Sequence, residues 1–188
     1  GKKRWDLLTS LGSCQVDALV ANLEAEDYRL LPFGLNILVP KCIAAWEQSH
    51  DVLEVERQLD NRLYEVMLEK ARELAMPGMV GWIRTRIDGE NIRTLVRLKR
   101  FGFDAAKALP FMHAGGELDV SLLTPLITEP FESWGRTLAF SDYGALLGSI
   151  DAPGGFAELI LLLEKALDDF YLDKIAGSRF TSSAPENV

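Results

Sequence analysis

Residues 77 to 102 read PGMVGWIRTRIDGENIRTLVRLKRFG, and the order of apolar positions in this stretch decides the fold class. Val80, Ile83, Ile87, Leu95 and Leu98 recur at helical spacing, which lays them along one side of an α-helix. Pro77 suits the opening turn, because the N–H that it lacks would go unpaired there. The spacing predicts a helix from Pro77 to about Phe101. Upstream, Val52, Val55, Leu59, Leu63, Val66, Met67 and Leu74 form a long amphipathic stripe that Met76-Pro77-Gly78 interrupts. Val16, Leu19, Val20 and Leu23 fall on one face of a shorter helix, and Pro40 is placed in a first helical turn ahead of Ile43 and Trp46. Beyond Gly102 the chain is rich in Gly, Pro and Thr, with short helical pieces near Val120 to Ile127 and Tyr143 to Leu147. After the break at Asp151-Ala-Pro-Gly-Gly, the residues Phe156, Leu159, Ile160, Leu163, Leu167, Phe170 and Tyr171 define a last long helix, followed from Ser178 by a Ser-rich tail that is expected to fray. Apolar and polar residues do not alternate over any convincing length, so the chain is read as all-α.

Composition narrows the function classes. The 188 residues are 48% hydrophobic and 26% charged, a globular rather than a disordered balance. A net charge of −8 argues against a surface built to coat phosphates, so no nucleic-acid partner is expected. Leu159 to Leu163 is a short apolar run beside the ~20 residues that a membrane-spanning helix needs, and no span is expected. Gly1-Lys2-Lys3-Arg4 is basic like the start of an export signal, but Asp6, Thr9 and Ser10 interrupt the apolar segment that would have to follow. Cys14 and Cys42 form no Cys-x-x-Cys pair and are too few for a disulfide framework, which makes a reducing compartment the expectation.

The densest polar cluster lies inside the deciding helix. Arg84, Asp88, Asn91 and Leu95 share a face, which sets Asn91 in the apolar stripe and Asp88 at its edge. Three readings compete. An acid and base pair is disfavoured because a carboxylate near Arg84 and other guanidiniums is held ionised. Phosphate binding by the basic residues from Arg84 to Arg100 meets competition from Asp88 and Glu90, and no glycine-rich phosphate loop accompanies them. An internal ion-pair and amide network that fixes how the helix packs needs nothing further and is favoured. His50 and His113 stand apart from other metal-ligand types, no Gly-x-Ser-x-Gly turn occurs, and Gly115-Gly116 and Gly154-Gly155 read as turns. Glu24, Glu26 and Asp27 read as a solvated helix end. No catalytic, cofactor-binding or metal-ligating residue is therefore assigned.

The chain also repeats itself. Glu56-x-x-Leu59-Asp60-x-x-Leu63-Tyr64 matches Glu164-x-x-Leu167-Asp168-x-x-Tyr171-Leu172, with Asp168 lying 108 positions after Asp60. Gly12-x-Cys14-x-Val16-x-x-Leu19 matches Gly116-x-Leu118-x-Val120-x-x-Leu123, and Lys3-Arg4-Trp5 matches Lys99-Arg100-Phe101 more weakly. Matches in one order at similar offsets point to a unit of about one hundred residues. The expected division is a first unit over 1–104, opening with the tail of a preceding one, and an incomplete second unit over 105–188.

The segment Ile87-Asp88-Gly-Glu-Asn91-Ile92-Arg93-Thr94-Leu95-Val96-Arg97-Leu98-Lys99-Arg100-Phe101-Gly102 resembles the C subunit of V-type and A-type rotary ATPases, whose eukaryotic counterpart is the d subunit. That family repeats an apolar residue and Asp, then, after two positions, Asn, an aliphatic residue, a basic residue, Thr or Asn, Leu, and a basic helix end before Gly. The Leu59-Asp60 and Gly-x-Leu-x-Val segments follow in the family's order, so the likeness covers nearly the whole chain. The region from Pro125 to Ser149 shows only a vague likeness, and Gly81 and Gly89 interrupt the signature helix, each costing about 1 kcal/mol against Ala unless packing requires the small size.

The resemblance implies three similar helical units around a pseudo-threefold axis, arranged as a funnel, of which this chain would be a fragment. It implies a non-catalytic rotor spacer on the cytoplasmic face of the membrane, joining the central-stalk subunits to the membrane rotor ring and transmitting torque between ATP hydrolysis and proton or sodium transport. It marks Asp60, Arg84, Asp88, Asn91, Arg93, Arg97 and Asp168 as structural signature residues. The alternative from another class is a small helical enzyme or ligand-binding domain that uses Asp88, Glu90 and the neighbouring Arg residues.

Overall fold

The computed structural model describes residues 9–11 and 15–181, with side chains up to residue 177. The readings placed on Lys3-Arg4-Trp5, Gly12 and Cys14 lie outside the described residues. Those described are all-α, with no strand among them. The helices are α1 (Val16–Glu24), α2 (Leu35–Ser49), α3 (Val52–Glu73), α4 (Pro77–Arg100), α5 (Ala105–Ala108), α6 (Val120–Leu123), α7 (Phe131–Thr137), α8 (Asp142–Gly148) and α9 (Phe156–Thr181). Short 3-10 turns follow α5, at Leu109–Phe111, and α6, at Thr124–Thr128.

The long helices stand where apolar spacing places them, and their ends have local causes. At the C-terminus of α3 the chain turns left-handed at Ala75, while the Met76 N–H reaches back to the Ala71 carbonyl at 2.9 Å, a closing pattern that satisfies helix-end acceptors. Pro77 then opens α4, and Arg97, Lys99 and Arg100 occupy its last turn, where the helix dipole favours cations. Two expectations change. Pro40 sits inside α2 rather than in its opening turn, because left-handed backbone at Phe33 and Gly34 starts the helix earlier and the Gly34 carbonyl accepts from Ile37 N and Leu38 N at 3.1 Å. The helix therefore forgoes one bond to the Asn36 carbonyl. The last helix runs through Ser178 to Thr181, past the point where the sequence places a frayed tail.

Packing divides the chain into two units, between Val66 and Met67, inside α3. The first unit has a thin interior of Leu31, Cys42 and Val66, and α1 contributes no buried residue. Here α2 meets α3 at Cys42 and Gln58, and at Gly34, where a Cβ would come within 2.8 Å of the Arg62 guanidinium. The second unit holds the main core, in which Ile92, Leu95 and Val96 of α4 pack with Leu123, Leu126, Trp134, Leu138, Tyr143, Leu147, Leu163 and Leu167. In that unit α7 and α8 form a tight hairpin, so close at Gly135 that a Cβ there would lie 2.6 Å from Gly148 N. Packing also groups α4 with the segments that follow it, α9 and the 124–128 turn. The repeat boundary expected at 104/105 concerns sequence register and is a different division from the packing boundary between Val66 and Met67.

Candidate functional site

Helix α4 is the spine of the second unit, and its polar face forms the densest site. Arg84, Asp88 and Asn91, at steps of four and three along one face, together hold the loop at residues 113–118. Asn91 makes a two-point contact: its Nδ2 donates to the His113 carbonyl at 2.8 Å and its Oδ1 accepts from His113 N at 2.7 Å. Asp88 Oδ2 accepts from Glu117 N at 2.9 Å, and Oδ1 accepts from Leu118 N at 3.1 Å. The Arg84 guanidinium donates to the Gly116 carbonyl at 2.9 and 3.2 Å. Gly116 lies so close to the carboxylate that a Cβ would meet Asp88 Oδ1 at 1.9 Å, so its backbone approach depends on having no side chain. Asp88 and Asn91 are both fully buried, which makes each of these bonds expensive to lose.

The partner of Asp88 differs from the expectation. Reading the sequence gives it to neighbouring guanidiniums that hold it ionised. In the structure its oxygens go to backbone N–H groups about 30 residues away, and Arg84 is engaged with a carbonyl. Burial pushes the carboxyl up to about 6; the bonds from Leu118 and Glu117 and the charge of Arg84 pull it down without winning, while the Glu117 charge adds to the rise.

Further ties fix the other faces of α4. Arg93 pairs with Glu90 one turn back and lies 2.8 Å from Glu164 Oε2 on α9, and Arg97 donates to Glu164 Oε1 at 2.9 Å. Burial works to lower the Arg93 pKa, but the charges of Glu90 and Glu164 outweigh it and the net shift is upward. Gly89 lets α9 come close: a Cβ there would sit 1.7 Å from the Tyr171 hydroxyl and 3.4 Å from Leu167 Cδ2. The Arg86 guanidinium covers the Tyr171 ring at 4.3 Å. Tyr143 on α8 donates to the Thr85 carbonyl at 2.9 Å, and burial raises its phenol pKa far above the usual value. Lys99 donates to the carbonyls of Ile127 and Glu129, both at 2.7 Å.

Five of the seven signature residues, Arg84, Asp88, Asn91, Arg93 and Arg97, thus meet on α4. Asp60 and Asp168 are exposed on α3 and α9 and do not join that cluster. Sequence reasoning did not assign Gly116, Lys99, Tyr143 and Glu164 as participants, although Gly116, Lys99 and Glu164 each stand within the repeat matches. Among the described residues no group of His, Cys, Asp and Glu could hold a metal ion, and no helix is long and apolar enough to cross a membrane. His113 is buried with its backbone held by Asn91, and His50 caps α2 with its ring against Trp46. Chemically, the α4 cluster offers enclosure and cross-linking of helices: Asp88 is enclosed with both oxygens engaged, and Glu90 is held by Arg93.

The family model described as ATP synthase (C/AC39) subunit matches residues 1–188. No curated protein and no solved structure gives a significant match.

Proposed function

The chain belongs to the ATP synthase (C/AC39) subunit family, a subunit of V/A-type rotary ATPases, and from that premise we propose that it acts as the non-catalytic spacer between the central stalk and the membrane rotor ring. The observation that carries this reading is the family match over residues 1–188. The structure supports it in physical terms. A part that passes torque must resist shear between its helices, and α4 is tied to the 113–118 loop, the 127–129 carbonyls, α8 and α9 by separate bonds from successive turns. Cross-ties of this kind oppose sliding more effectively than apolar contact alone, because buried polar groups fix register.

In this reading the protein sits at the cytoplasmic face, binds polar surfaces of its neighbours and carries ions only through the complex it serves. The signature residues of α4 act inside the subunit by holding its shape, and the neighbours are met by other surfaces. An enzyme using Asp88 and Glu90 would need both carboxylates open to substrate, whereas Asp88 is fully buried. The test is affinity purification of the tagged gene product from host membranes. The expected companions are central-stalk and rotor-ring subunits; a preparation that retains neither refutes the assignment.

A further inference from the structure

Within the second unit, the first turns of α4 and the last turns of α9 border a cleft. The two helices touch where Gly89 meets Tyr171 and Leu167. Toward the start of α4 they leave a pocket of about 380 Å³, lined by Met76, Gly78, Met79, Trp82 and Ile175. Its volume falls in the range of small-molecule sites, and its side chains are apolar. Met76, Met79 and Ile175 are 44%, 41% and 36% exposed, so the pocket opens to solvent. Arg86 stands one turn after Trp82, between this pocket and the contact at Gly89. Its half-buried guanidinium is braced by aromatic rings, 4.3 Å from the centre of Tyr171 and 5.9 Å from that of Trp82. Arg57, Arg93 and Arg97 each pair with a glutamate and Arg84 with a carbonyl, whereas Arg86 makes no ion pair or hydrogen bond among the described residues. Carboxylates are not scarce in a chain with 28 acidic and 20 basic residues. The buried indole N–H of Trp82 likewise finds no acceptor among the described residues.

We propose that this cleft binds an amphipathic carboxylate, with its apolar tail among Met76, Met79, Trp82 and Ile175 and its head on the Arg86 guanidinium. An arginine meets a carboxylate with two parallel N–H donors, and stacking on Tyr171 holds the plane of the group before the ligand arrives. A single free charge suits a monoanion, since Lys174 of α9 is already engaged by Asp142. Methionine side chains adapt their shape to a flexible tail. One helical turn, ~5.4 Å, separates Trp82 from Arg86, a distance that the first few carbons of an alkyl chain span. This site is independent of the stalk and ring contacts proposed above.

Decanoate is the probe, titrated into the full chain at about pH 8, below its micelle concentration, and followed by calorimetry. Decanol and decyltrimethylammonium test the head group. Saturable binding of decanoate is expected, tighter than that of either control by about tenfold or more. Arg86→Met is expected to bring decanoate down to the level of decanol, and Met79→Asp, at an exposed position, to abolish binding. Unfolding curves verify that both variants keep the fold. Peroxide oxidation read by mass spectrometry locates the ligand: at saturation Met76 and Met79 are expected to be protected, while buried Met112 keeps its rate. The proposal is overturned by any of five results: no saturable binding of decanoate; a control that binds as tightly; affinity unchanged by Arg86→Met; binding that leaves Met76 and Met79 unprotected; or protection that grows with protein concentration in the absence of decanoate, which assigns the cleft to a second copy.

Discussion

Replacing Gly89 by Ala reverses the usual effect of that substitution. In a helix interior Ala is favoured over Gly by about 1 kcal/mol, since Gly loses more backbone freedom on folding. Gly81, two turns earlier on α4, has no heavy atom within 4 Å of where its Cβ would stand, so Gly81→Ala is expected to realise that gain. At Gly89 the added methyl would meet the Tyr171 hydroxyl at 1.7 Å and its Cζ at 2.8 Å, with Leu167 Cδ2 at 3.4 Å. The ring has little room to retreat, being buried beneath the Arg86 guanidinium. Overpacking of this kind costs about 1–3 kcal/mol, which exceeds the helix-propensity gain. With contacts this short the upper end applies, so Gly89→Ala is expected to lower stability by about 2 kcal/mol net, a fall of about 4–8 °C in melting temperature for a chain of this size. Adding Tyr171→Phe removes the oxygen that clashes most and is expected to recover part of the loss. Thermal unfolding of the single variants and of Gly89→Ala with Tyr171→Phe decides the matter. A Gly89→Ala chain as stable as Gly81→Ala would refute the close packing of α4 on α9.

Three further outcomes follow from the ties around α4. Asp88 is half protonated near pH 6 in the folded state, against 3.8 in the unfolded chain, so the fold binds more protons between those values and stability falls as pH rises through that window. Unfolding of the native chain and of Asp88→Asn across pH 3.5 to 7 is expected to show the native chain losing roughly 3 kcal/mol relative to the variant, and parallel profiles would contradict the burial of the charge. Lys99→Met removes two charge-assisted bonds to the Ile127 and Glu129 carbonyls and is expected to cost about 2–3 kcal/mol in denaturant unfolding, whereas a cost under about 0.5 kcal/mol would mean water replaces them. Ala75→Gly relieves a left-handed residue between α3 and α4 and is expected to gain about 0.5–1 kcal/mol, with any loss of stability showing that the turn is not strained.

The long helices were legible because apolar residues at helical spacing over six or seven turns leave little freedom: α3, α4 and α9 were placed within about two residues at their starts, and Pro77 marked one boundary by itself. Pro40 misled, because a preference for the first turn is weaker than the left-handed turn at Phe33 and Gly34 that starts α2 earlier. The short α5 and α7 were not legible; neither spans enough turns to show a period, and Gly135 in α7 serves close packing that only the fold reveals. At the site, the shared face of Arg84, Asp88 and Asn91 was visible from spacing. Their partners were not visible, since backbone groups at 113–118 look alike in any sequence and only the fold brings them under α4. The same lack concealed the sign of the Asp88 shift, which depends on burial more than on neighbouring charge.

The claim that this protein couples the stalk to the rotor ring is tested most directly by ion pumping in inverted membrane vesicles prepared from host cells with and without the gene product. Vesicles lacking it are expected to retain ATP hydrolysis by the soluble head while losing ATP-driven ion uptake, and adding back the purified product is expected to restore uptake. Uptake at full rate in its absence would contradict the account.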